Sequence, residues 1–303
     1  MSDSERDSIF RLRKQLENPY TYIEQLESSE QQPRSSTSTL SASRKLLENP
    51  YAYLADNGGY EADVPARPTN KPAAPTRWSN EQIATKVREL HARLWRDRET
   101  LWPGAVPLDP IDLLDPGIAL EAIGYQFDLQ EGLGPMPGGG GQIEVAGIID
   151  TKAKIVRVGR QFPASVRAFT AAHELGHAVL HPTLNGMHRD KPLDGSPASA
   201  ERVEVEANKF ATLFLMPERL VRTRLAQLFQ AETFELSEES AFALDGCSLF
   251  DFQRTHRTQR QVSRKVASAQ RFNGRHFTPL SEQFRVSREA MAIRLEELAL
   301  VPR

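Results

Sequence analysis

Ile83, Val87, Leu90 and Leu94 recur at i, i+4, i+7 and i+11, the spacing of one apolar helix face. Ser79, three residues before Gln82, has the form of a capping box and marks where that helix begins. An apolar run from Asp109 to Tyr125 follows, broken by Pro116-Gly117. Gly138 to Gly141 lack the Lys-Ser/Thr of a phosphate-binding loop and read as a connector. The period then changes: Val145 to Asp150 and Ile155 to Val158 are β-branched runs on either side of the polar Thr151 to Lys154, which predicts a β-hairpin. Phe162-Pro163 places a proline near the first turn of a further helix, through Val166, Phe169, Ala172 and Leu175. Another helix is predicted from about Ala198 to Leu215, stopped by Met216-Pro217. From Phe277 to Leu300 the pattern is helix, turn, helix: Leu280 and Phe284, then Val286-Ser287 as turn and N-cap, then a Met291, Leu295, Leu298 stripe.

Residues 1–76 lack such periodicity. Ser35 to Ser43 is nearly all Ser and Thr, and Pro65, Pro68, Pro72 and Pro75 punctuate a second polar stretch, so the expectation is a disordered tail. Within it Arg13-Lys-Gln-Leu-Glu-Asn-Pro-Tyr-Thr-Tyr22 is repeated as Arg44-Lys-Leu-Leu-Glu-Asn-Pro-Tyr-Ala-Tyr53. Two copies are too few for a solenoid but suit paired docking motifs for one partner. The layout expected is a tail over 1–76, an enzyme-sized domain over 77–225 and a helical module over 226–303, α+β in class with a small antiparallel sheet beside two helices.

Composition narrows the partners. Lys plus Arg number 38 against 40 for Asp plus Glu, which argues against wholesale nucleic-acid coating. The single Cys247 excludes an intrachain disulfide framework, and no stretch has the ~20 apolar residues needed to span a bilayer. The expectation is a soluble, cytoplasmic protein with no membrane association.

The chemistry lies in His173-Glu174-Leu175-Gly176-His177. On a helix, four residues separate the two imidazoles by about 6 Å along the axis and about 40° around it, so both reach one metal at about 2.0 to 2.1 Å. Glu174 overhangs the same point and can take a proton from metal-activated water and pass it to a leaving amine. Thr170, Ala171, Ala172 and Gly176 keep the helix thin where a partner must approach. Glu201, Glu204 and Glu206 on the following helix are candidate third ligands. Glu204 and Glu206 point about 200° apart and cannot both face the site. Glu204 shares a face with Ala207, Asn208 and Ala211 and is preferred, with Glu201 on a neighbouring azimuth as the alternative. Asn208 is placed to accept the second ring N–H of a ligating histidine. His181 is assigned a helix C-terminal or outer role, His188 a loop position, and Tyr125 is the one phenol after residue 76 available as an electrophile.

Ala172-His-Glu-Leu-Gly-His-Ala-Val-Leu-His181 followed by Glu204-Val-Glu-Ala-Asn-Lys-Phe-Ala-Thr-Leu-Phe-Leu-Met-Pro217 resembles the ImmA/IrrE family of metallopeptidases. The resemblance covers about residues 80–225, with weaker motifs at 278–301. It implies a zincin-like core, His173, His177 and Glu204 as ligands of zinc or manganese, and Glu174 as the base. It also implies metallo-endopeptidase activity on a protein substrate, often a helix-turn-helix transcriptional repressor, and a helix-turn-helix-like C-terminal end. The alternative function is a DNA- or repressor-binding regulator with a structural or vestigial metal site. Arg254, Arg257, Arg260, Arg264, Lys265, Arg271 and Arg275 make residues 253–275 basic, but Glu289, Glu296 and Glu297 on the last helix favour a packing module over a DNA-binding one.

Overall fold

The computed structural model describes residues 78–138, 141–182, 187–190 and 202–302. The duplicated tail motifs and Glu201 lie outside the described residues. Helix α1 (Asn80–Arg96) starts at the expected capping box, where Ser79 accepts from Gln82 N and Gln82 in turn accepts from the Ser79 N–H. Ile83, Val87, Leu90 and Leu94 are all buried, and they bring Trp95 and His91 in with them. A short α2 (Arg98–Leu101) and a 3-10 turn (Pro110–Leu113) lead to α3 (Pro116–Ala122). Pro116 opens α3 at N1, and Asp115 caps the Gly117 and Ile118 N–H groups.

Strands β1 (Gln126–Gln130), β2 (Pro135–Gly138), β3 (Gly141–Glu144), β4 (Gly147–Asp150) and β5 (Ile155–Gly159) follow, then helix α4 (Ala164–Leu180) and strand β6 (Met187–Asp190). The main sheet has the order β1-β5-β4-β6, while β2 and β3 form their own hairpin. The predicted hairpin is β4–β5, antiparallel, with Asp150 Oδ1 accepting from Lys152 N and Ala153 N in its turn. The sheet as a whole is mixed, which corrects the antiparallel expectation: β1 runs parallel to β5. A parallel pair needs a connection of a dozen or more residues, and the intervening β2–β4 segment supplies it. The β1 alternation Gln-Phe-Asp-Leu-Gln carries no information on pairing direction.

Helix α5 (Arg202–Leu215) lies against α4, and α6 (Glu218–Phe229), α7 (Glu238–Asp245), α8 (Leu249–Thr255), α9 (Gln259–Ala267), a small β7 (Arg271–Phe272) and β8 (Arg275–His276) ribbon, α10 (Leu280–Gln283) and α11 (Arg288–Glu297) complete the chain. Ser287 caps α11 as expected, and Met291, Leu295 and Leu298 are buried. One apolar cluster runs from Ile83 through Leu175, Phe210 and Phe214 to Met291 and Val301. Each such fully buried Leu or Phe contributes about 2 to 3 kcal/mol. A backbone hydrogen bond from Phe234 N to Leu300 O and a side-chain one from Arg294 Nε to Met216 O tie the C-terminal helices to the rest. No described helix is long and apolar enough to cross a membrane.

Candidate metal centre

Gly176 determines how closely the two helices approach. A Cβ there would sit 3.0 Å from Ala207 O and 3.1 Å from Ala207 Cα, so any larger side chain would push α5 away. At this separation Glu204, in the first turn of α5, reaches the α4 histidines. The α5 N-terminus is also where a helix dipole favours a carboxylate.

The imidazole nitrogens and carboxylate oxygens converge in a triangle. His173 Nε2 lies 2.9 Å from His177 Nε2 and 3.2 Å from Glu204 Oε2, and His177 Nε2 lies 3.5 Å from Glu204 Oε1. One ligand atom from each of the three residues falls within 4.8 Å of the others, and all three residues are buried. In a tetrahedron with bonds of about 2.0 to 2.1 Å, donor atoms stand about 3.3 Å apart, so the separations suit one small divalent ion. The donor chemistry suits it as well. His173 Nδ1 donates to Asn208 Oδ1 at 2.9 Å, which fixes the ring proton on Nδ1 and turns the Nε2 lone pair into the triangle. Two imidazoles and one carboxylate are the donor set of a peptidase-type zinc site with a position left for water.

Glu174, next to His173 on α4, is fully buried. Its position depends on a residue that helical spacing did not single out as functional. Gly147 begins β4, and a Cβ there would overlap Glu174 Oε1 and come 2.6 Å from Thr170 Cγ2. A glycine opening an otherwise β-branched strand was the available signal.

Glu206 faces the other way, as the helical wheel required. It accepts from Trp78 N at 3.2 Å and Arg202 Nε at 2.9 Å, and its Oε2 lies 3.3 Å from His181 Nε2. His181 is the C-cap of α4, and burial, helped by the neighbouring His177, holds its pKa below the usual histidine value. Tyr125 sits in the hydrophobic core between α3 and β1, where burial raises its phenol pKa. The backbone of His188 pairs with Ile149 in β6, so it is a strand residue rather than a loop one.

Comparison with known proteins points to a peptidase family. Residues 137–243 match the family model Peptidase_M78, the IrrE N-terminal-like domain. Over 73 residues the chain is also 36% identical to "Uncharacterized immunity region protein 2" of Bacillus phage phi105, a match that covers 24% of this chain and 44% of the relative.

Proposed function

We propose that this chain is a zinc-dependent endopeptidase with a zincin-like core, in which His173, His177 and Glu204 hold the ion, Asn208 orients His173 and Glu174 is the general base. The observation that carries the reading is the buried convergence of those three side chains within 4.8 Å, beside a carboxylate that a glycine makes room for. What a divalent ion supplies there is Lewis acidity, which lowers the pKa of water towards about 7 and polarises a peptide carbonyl. Glu174 takes the water proton and returns it to the departing amine. The low-dielectric surroundings strengthen both effects.

The substrate we propose is a protein, of the helix-turn-helix repressor kind. The phage relative carries "immunity region" in its name, which fits a substrate that controls genes. The tail over 1–76, the catalytic domain over 77–225, the helix-turn-helix-like module over 226–303 and a cytoplasmic setting belong to the same proposal. A DNA-reading role for the last helix is disfavoured, because residues 290–295 of α11 are all buried and leave little face for a groove.

Glu174→Gln is the test. Cellular proteins compared between active and variant enzyme should show a new N-terminus only with the active one, while the variant keeps its metal. Persistent cleavage by Glu174→Gln, or purified protein that takes up neither zinc nor manganese, would overturn the proposal.

A further inference from the structure

The last helix, α11, reaches the metal-bearing α5 through charged side chains that have left the solvent. Lys209 stands on α5 beside Asn208, and its Nζ lies 3.8 Å from Glu297 Oε1 in the last turn of α11. The two side chains are 11% and 8% exposed. The other oxygen of that carboxylate, Glu297 Oε2, accepts from Arg294 Nη1 at 2.8 Å. Arg294 Nε in turn donates to Met216 O, just past the end of α5, at 3.0 Å.

A lysine is almost never this buried unless it is paired, because its ammonium gives up hydration. Burial lowers the Lys209 pKa from its ordinary 10.5, and charge from Glu297 works against the fall. Such a pair adds little stability over apolar residues of the same size, whereas removing one partner leaves the other charge buried and uncompensated. Its geometry is what distinguishes it from an apolar contact. Helical residues turn by a fixed angle of about 100° each, so a hold on Lys209 also sets the direction of Asn208, one position earlier, and of Glu204, five earlier. Asn208 is the acceptor for His173 Nδ1, and Glu204 faces both α4 histidines.

We infer that Lys209 and Glu297 are positioning residues for the metal centre: their buried pair, with Arg294 on the Met216 carbonyl, fixes the rotation of α5 at which Glu204 and Asn208 meet His173 and His177. The contact of Gly176 with Ala207 sets how near α5 comes to α4, and the hold from α11 sets which way it faces. The C-terminal helix is then a working part of a site to which it contributes no ligand. The inference rests on the metal-site reading proposed above.

Zinc affinity of the full chain, measured by competition with a chromogenic chelator well below the unfolding temperature, tests it without any substrate. Glu297→Gln keeps the size of the side chain and an acceptor for Arg294 but removes the charge facing Lys209. It should weaken zinc binding by about tenfold, the lower end for residues that orient ligands. Glu297→Asp, which keeps the charge, should recover most of that loss. Should the Glu297 variants not fold, Lys209→Met releases the same hold from the α5 side and should weaken zinc binding in the same direction. Glu289→Gln, on the same helix but paired with α9, is the control for simple destabilisation and should leave zinc affinity unchanged. Wild-type affinity in folded Glu297→Gln or folded Lys209→Met, or an equal loss in Glu289→Gln, would overturn the inference. A wild-type chain that binds neither zinc nor manganese would overturn the metal-site reading itself, and this inference with it.

Discussion

Two helix pairs in this protein bring charged or ligating side chains together, and they do so in opposite ways. Between α9 and α11 every acid meets a base: Arg260 holds Glu296 through Nε and Nη2 and Glu289 through Nη1, and Arg264 also bonds Glu289. Between α4 and α5 the three converging groups are two imidazoles and a carboxylate, whose Nε2 and Oε atoms stand 2.9 to 3.5 Å apart. The first arrangement is complete in itself. The second is a donor set that one divalent cation would complete. A cluster of ionisable residues is thus read by the sign of what faces what, and the basic run of residues 253–275 is in part the structural partner of the acids on α11.

Breaking the α4–α5 side should have the largest effect. Glu204→Ala should lower metal affinity by more than about 100-fold, beyond the usual cost of losing an outer contact, as measured by competition with a chromogenic chelator. Retention of full affinity would mean that Glu204 is not a ligand. Asn208→Ala, which removes only the hydrogen bond to His173, should cost about 10- to 100-fold in metal affinity or activity. An unchanged value would reduce Asn208 to packing.

On the α9–α11 side the effect should be small and confined to stability. Burial works to raise the Glu289 pKa, but hydrogen bonds and charge from Arg264 and Arg260 outweigh it and hold the carboxyl below its ordinary 4.5. Its contribution is therefore complete above about pH 4.5 and fades as acid carries the pH down through the lower folded value. Glu289→Gln should cost up to about 1 kcal/mol at neutral pH in denaturant unfolding, lose that part of the acid dependence, and leave metal uptake untouched. A large loss of metal binding would show that the two pairs are coupled, against the contrast drawn above.

Much of the architecture was legible because it is written in local periodicity. The capping box at Ser79, the β4–β5 hairpin and the Ser287 cap all follow from short-range spacing, and each is present where expected. The helical wheel also separates Glu204 from Glu206, and Glu206 does face the Trp78 side. What spacing could not supply was anything that depends on which distant segment comes alongside. The parallel β1–β5 pairing, Gly147 under Glu174 and the Lys209–Glu297 pair each join residues far apart in the chain.

The sequence by itself determined the longest periodic elements, the candidate donor residues and the face on which each lies, because rotation per residue is a fixed property of a helix or strand. Only the tertiary structure decided the distances. A helix carries its side chains at set angles but does not specify its neighbour, and the close approach of Gly176 to Ala207 is what brings Glu204 within reach of His173 and His177.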